Sequence, residues 1–355
     1  MIDLDHNAGT ALRPAARMAM ESALEVGGNP SSVHSGGRRA KRILEDAREA
    51  IAGACAVTPA QIVFTSGGTE ANALALNGLR AMASAVEHPC VLAQPGVVAE
   101  RLPVDGDGRV DLDGLSVRVA ASGVDQVAVM AANNETGVLQ PLVAVRERLP
   151  EGVALHVDAV QAPGRLDLPT LTALADSVAL SSHKVGGPPG IGALVLAPGR
   201  QPSTLVAGGG QERGRRGGTE NVPGAAGFAA ALGAITVAET RRVGALRDRL
   251  EVGLRAVLPD LRVLGDEVER LPNTTAVVVP GWSAETLVIA LDLAGVAVSS
   301  GAACSSGKVG RSHVLAAMGV AGDAVRLSLG WSSTEAEVDA ALAAFHDVTA
   351  RRRVA

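Results

Sequence analysis

The chain has no tyrosine, three phenylalanines and two tryptophans among 355 residues. An interior built on aromatic stacking is therefore excluded, and so is an aromatic platform for single-stranded nucleic acid; Ala, Val and Leu must fill the core. Cysteine is equally sparse. Cys55, Cys90 and Cys304 are odd in number and widely spaced, which gives neither a disulfide framework nor a zinc motif and fits a reducing cytoplasm. Positive charge is not in excess either: the formal net charge is -5 and the pI near 5.8, so a nucleic-acid binder or an anionic-membrane binder is not expected. The start, Met1 to His6, lacks the basic and apolar regions of a signal peptide and reads as a short strand with an acidic end. The longest uncharged apolar run, Val222 to Ala238, is rich in Gly and Ala and contains Pro223, so it reads as a buried helix rather than a membrane span.

What is present is a large aliphatic content, 47% hydrophobic against 19% charged residues, in a chain longer than one core usually supports. Two domains, or one large α/β domain with a smaller partner, are expected, divided into a larger one over 16–239 and a smaller α+β one formed by 1–15 with 240–355. Strands are expected at Gln61–Thr65, Cys90–Ala93, Val127–Met130, Val153–Val157, Ser177–Leu180 and Ala193–Leu196, with helical segments between most of them. That alternation implies an α/β fold with a mostly parallel, doubly wound sheet, in which ligands sit at the carboxyl ends of the strands. From about residue 240 the pattern changes to a charged helix (Glu239 to Val257), short strands, and a helix from Ala284 to Ala294.

Several polar groups fall at those strand ends. Ser66-Gly67-Gly68-Thr69-Glu70 joins a strand to a helix, and glycines at a helix start let an anion approach unpaired amides. Asp158 ends one strand, and Lys184 follows the next in Ser181-Ser182-His183-Lys184. A buried acid and a buried amine in one cleft are what a pyridoxal phosphate (PLP) enzyme needs, because the amine forms a Schiff base and the acid holds the pyridinium proton. A lone lysine after a strand is more often a surface cation, so the pair rather than the lysine carries the reading. Cys304 lies in a run of glycines and small residues, Gly301 to Gly310, expected to form a mobile loop that can bring a thiol to a substrate and away again. The same run is not a nucleotide-binding loop, since its glycine spacing is one residue too long and Val309 stands where Ser or Thr would bind magnesium. Cys55 and Cys90 read as small buried hydrophobes, and no metal site is expected.

With these motifs in order, the chain resembles the fold-type I, class V aminotransferase-like PLP enzymes, and within them the cysteine desulfurases. The resemblance rests on Leu4-Asp5-His6-Asn7-Ala8, Gly28 to His34, Phe64 to Asn72, Glu87-His88, Asn133 to Gly137, His156 to Gln161, Gly208 to Gly214, Arg216 to Thr219 and Ser299 to Cys304. It implies a large domain with a mostly parallel seven-stranded sheet and a smaller domain that carries the cysteine loop. It also implies site roles. Lys184 would hold PLP and shuttle the substrate α-proton; Asp158 would pair with the pyridine nitrogen, and Gln161 would face the phenolic oxygen. His88 would stack on the ring. Gly68, Thr69, Ser181 and His183 would bind the phosphate, joined by Thr219 from the second subunit of a homodimer. Asn134 would contact cofactor and substrate, Arg326 would bind the carboxylate of L-cysteine, and Cys304 would take its sulfur as a persulfide for a sulfur-acceptor protein. A selenocysteine lyase, a class V aminotransferase or a non-catalytic sulfur-relay scaffold would share the fold; the aminotransferase would not depend on Cys304. The chain departs from the family pattern in Ala8-Gly9-Thr10, where two threonines commonly follow the alanine, and in a shortened segment after His88.

Overall fold

The computed structural model describes residues 1–301 and 312–353, so Cys304 lies outside the described residues. Thirteen strands are described: β1 (Ile2–Asp3), β2 (Ile62–Thr65), β3 (Ala81–Ser84), β4 (Val97–Leu102), β5 (Gln126–Ala128), β6 (Ala154–Asp158), β7 (Ser177–Ser181), β8 (Gly192–Leu196), β9 (Arg262–Val263), β10 (Thr274–Val278), β11 (Val296–Ala297), β12 (Ser299–Ser300) and β13 (Val325–Ser328). The helices are α1 (Pro14–Val26), α2 (Ser35–Ala54), α3 (Gly68–Leu76), α4 (Pro89–Leu92), α5 (Leu115–Ser122), α6 (Leu142–Arg148), α7 (Leu168–Leu174), α8 (Val222–Gly233), α9 (Val237–Val257), α10 (Ala284–Leu293), α11 (His313–Ala317) and α12 (Glu335–Arg353).

Seven strands form one sheet in the order β2-β8-β7-β6-β5-β3-β4. Only β8 runs against the rest: it pairs antiparallel with both β2 and β7, while every other neighbouring pair is parallel. This is the mostly parallel seven-stranded sheet that the resemblance implied. Alternation along β2 shows how it is covered, with Ile62 and Phe64 in the core shared with α1, α2 and α8, and Val63 facing the opposite core under α3. Covering both faces is what leaves the strand ends as the place for polar side chains.

A second core gathers Leu4, α9, α10, α12 and the four-stranded antiparallel sheet β12-β13-β10-β9, which is stiffened by β1 pairing with β11. A smaller cluster containing Val86, Met130, Leu264, Ala276 and Leu315 joins the two. Asp5 bridges in register to Ser328, so the N-terminal segment runs along β13 before it enters the large sheet's side. The apolar run at Val222 forms the buried helix α8, which breaks before α9 at a bend of 75°. Among the described residues no single helix is long and apolar enough to cross a membrane.

One expectation fails. Cys90–Ala93 is not a strand but the helical turn α4, because His88 caps it by accepting from the Cys90 amide and Pro89 fills its first position. The strands of this region are β3 and β4 on either side of it.

Candidate active site

The parallel strands deliver their ends to one edge of the sheet. β2 stops at Thr65, and the chain turns through Gly67 at φ 154° into α3, whose start no side chain caps. A Cβ on Gly68 would stand 2.5 Å from Val160 Cγ2 and 3.4 Å from Ser181 Cβ. Only glycine therefore lets the amide-bearing start of α3 lie against the ends of β6 and β7, and with it the positive end of the helix dipole. Arg216 closes the other side by pairing with Glu70 at 2.8 Å, while Glu70 also accepts from the Ser66 amide at 2.7 Å. Those bonds and Arg216 outweigh the burial that opposes them, and hold the Glu70 carboxyl below its usual range.

Asp158 ends β6. Its carboxylate accepts from Asn72 Nδ2 at 2.7 Å and from the Val160 amide at 3.0 Å. Asn72 fixes the next link, since its Oδ1 is left to accept from His156 Nε2 at 2.8 Å, and His156 Nδ1 then accepts from the Ser177 hydroxyl at 2.9 Å. This assigns the proton of His156 to Nε2. Burial pushes His156 down to about 3, so the ring is neutral and the chain of bonds ends with a donor on Asp158. Burial lifts the Asp158 carboxyl above its usual range, against the pull of the Val160 amide, His88, Asn72 and Lys184. A positive partner at the carboxylate would offset that burial.

Lys184 stands in the turn after β7, and its Nζ donates to the carbonyls of Asn7 and Ala8. Gln161 Nε2 shares the Asn7 carbonyl at 3.1 Å, while its Oε1 accepts from Arg165. The segment Asp5 to Ala8 is thus a strap across the cleft. Its own anchor is the Asn7 side chain, which donates to Thr274 Oγ1 at 2.9 Å and accepts from Asn273 at 3.0 Å. His88 lies where the charges of Asp158, Lys184 and His313 all reach it, and burial first, then Lys184 and His313, hold its ring below the usual pKa. Its Nδ1 accepts from the Cys90 amide at 3.2 Å, which leaves the proton of the neutral ring on Nε2. His183 is pushed down to about 4 by burial and by Lys184.

Arg326, on β13, is buried; its Nη2 meets Asp5 at 2.5 Å and its Nη1 the Asn134 carbonyl at 2.9 Å. Beside it, Glu135 is pushed up to about 7 by burial and accepts from Ser312 Oγ at 2.6 Å.

The structure therefore brings together Gly68, Asn134, Asp158, Gln161, Ser181, His183, Lys184, His88 and Arg326. Thr69 is exposed at the first turn of α3, and Thr219 is exposed after the loop that Arg216 pins. Cys55 is buried, with its thiol pushed up to about 12 by burial, whereas Cys90 is half-buried and its Sγ accepts from Asn72 at 3.3 Å. Sequence reasoning passed over Asp5, Asn7, Asn72, His156 and Arg165 as individuals, although the first four stand inside motifs it singled out.

The residues fit pyridoxal phosphate. A glycine-built helix start lies against the Asp158–Val160 turn and Ser181, the carboxylate is buried and able to hold a proton-bearing nitrogen, and an amine and an imidazole border the same space.

The chain matches the class-V aminotransferase family over residues 2–341. It is 44% identical to a cysteine desulfurase of Cereibacter sphaeroides, over 95% of this chain and 92% of that one. It is 39% identical to an IscS-like cysteine desulfurase of Mycobacterium tuberculosis, over 99% and 97%. A NifS-like protein from Rickettsia africae has the same fold at a TM-score of 0.90, with 33% identity and 99% of each chain covered. By this evidence the chain belongs to the class-V aminotransferase family and, within it, to the pyridoxal phosphate-dependent cysteine desulfurases.

Proposed function

We propose that this chain converts L-cysteine to L-alanine and carries the released sulfur as a persulfide on Cys304, for transfer to an acceptor protein in the cytoplasm. The observation that supports it most is the buried Asp158 carboxylate, fixed by Asn72 and the Val160 amide at the end of β6, in a turn against which the glycine-built start of α3 lies, with Lys184 following the neighbouring β7. When bound, PLP supplies an electron sink for charge developing on the substrate. Lys184 Nζ would hold the cofactor and then move the proton at the substrate Cα. Asp158, its carboxylate fixed by Asn72, would hold the cofactor ring nitrogen in its protonated form. Gly68, Thr69, Ser181 and His183, with Thr219 of the partner subunit in a homodimer, hold the phosphate. Gln161 and His88 hold the ring, and Asn134 and Arg326 receive the substrate, the latter through its carboxylate. The Cys304 thiolate attacks the substrate sulfur; the Cβ–S bond breaks, an S–S bond forms on Cys304, and Cβ is protonated to give alanine. The two hydrophobic cores serve as a large unit over 16–239 and a small one formed by 1–15 with 240–355.

The test is to supply L-cysteine and a thiol reductant, which reduces the persulfide, to purified, PLP-loaded protein and measure alanine and sulfide. Wild type is expected to produce both. Lys184→Ala is expected to lose both together with the covalently held cofactor absorbance, and Cys304→Ser to lose desulfuration while keeping that absorbance. Sulfide release by Cys304→Ser at the wild-type rate would remove Cys304 from the mechanism.

A further inference from the structure

We propose that Asp5 is an internal carboxylate that occupies Arg326 between turnovers and gives way to the carboxylate of the incoming amino acid. The proposal rests on the reading above, that Arg326 receives that carboxylate. Arg326 is only 3% exposed. A guanidinium this deep needs an anion, because an uncompensated buried charge is far more costly than an exposed one. Asp5 supplies it through Nη2 alone, at 2.5 Å, and the Asn134 carbonyl takes Nη1. Nε is buried with no hydrogen-bond partner among the described residues, so Asp5 leaves the fork incompletely satisfied. No other carboxylate is paired with Arg326 among the described residues, and the nearby Glu135 is engaged by Ser312.

The two partners differ in what separation costs them. The Asp5 side chain is 29% exposed against 4% for that of Arg326, so a displaced Asp5 regains water whereas Arg326 cannot. The backbone around Asp5 is already fixed, by Leu4 N to Ala297 O at 2.9 Å and His6 N to Ser328 O at 3.2 Å, so a side-chain rotation suffices. Substrate then exchanges one carboxylate for another on a preformed fork. Asp5 weakens substrate binding by competing, and also lets product leave, while the remaining strap contacts to Lys184 and Gln161 run through the Asn7 and Ala8 carbonyls and stay in place.

The experiment compares wild-type holoenzyme with Asp5→Asn, an isosteric change, and Asp5→Ser as the second variant. KM and kcat for L-cysteine are measured, with calorimetric Kd for the product L-alanine and thermal unfolding to confirm the fold. Removing the competitor is expected to lower both KM and the L-alanine Kd by about fivefold, with kcat changing less than KM. A rise in KM and Kd would show that Asp5 orients Arg326, and no change would show that the pair is inert; either result overturns the proposal alone. Wild-type protein that binds no L-alanine would overturn the functional reading and this proposal with it.

Discussion

Asp158 and its supporters, Asn72, His156 and Ser177, all sit in the large sheet or in α3, and every link is a side-chain bond between buried groups. Lys184 and Arg326 are cations held differently: their partners among the described residues include the carbonyls and the one carboxylate of the N-terminal strap, together with the Asn134 carbonyl. The acid is fixed when the sheet folds, because the fully buried Asn72 is held between Asp158 and His156. The cations rest on groups that an incoming ligand can replace. Under the proposed roles, in which the Lys184 amine changes partners and the Arg326 guanidinium receives a substrate, the division follows the chemistry: rigidity where a charge has to stay, exchangeable contacts where it has to move.

The largest effect that would break this contrast is at the acid itself. Asp158→Asn keeps the shape and removes the charge, so kcat is expected to fall at least about 100-fold, with the absorption of bound cofactor altered at neutral pH. Retained activity would mean that the carboxylate is not the partner of the cofactor ring.

Asn72→Ala comes next. It removes one donor from Asp158 and leaves His156 Nε2–H unpaired, a cost of about 1–3 kcal/mol, which would weaken PLP affinity roughly 5- to 150-fold. PLP Kd, read by titration of the apoprotein, checks this independently of turnover. An unchanged Kd would show that the network supports packing alone.

The smallest effect concerns stability at the dry side. Glu87 is fully buried and pushed up to about 8, by burial first and then by Asp158, against bonds from Ser84 at 2.5 Å and the Met130 amide at 2.8 Å. The folded protein therefore holds this proton where the unfolded chain, near its ordinary value of 4.5, has released it. Stability from Glu87 is complete below the unfolded value and is lost as pH rises through the folded one, so Tm should decline between about 4.5 and 8. Glu87→Gln should flatten that part of the Tm profile. An identical slope in wild type and variant would place the titration elsewhere.

Much of this was legible in the sequence, and the reason is local. β2, β6 and β7 are apolar runs punctuated by Gly, Asp-Ala and Ser-His-Lys, so strand ends and their polar residues could be located from spacing, and with them Gly68, Asp158 and Lys184. Cys90–Ala93 misled because Cys-Val-Leu is apolar and prone to strand, while Pro89 behind a capping His88 was the stronger signal. β3 escaped because Ala81-Met82-Ala83-Ser84 has weak strand propensity and is buried on both faces, which removes the alternation. The supporters of the site were hidden for another reason. Asn72 meets Asp158 across 86 residues and Asp5 meets Arg326 across 321, and no local pattern announces which distant side chain a tertiary fold will deliver. Cys304 was singled out by its glycine-rich surroundings, and lies outside the described residues.

Whether sulfur leaves L-cysteine on Cys304 is tested most directly by a single turnover without reductant. Intact-mass and peptide analysis should find one added sulfur atom on Cys304 for each alanine formed, removable by a thiol reductant. Alanine formed in equal amount with Cys304 unmodified, or the added sulfur found on Cys90 instead, would contradict the account.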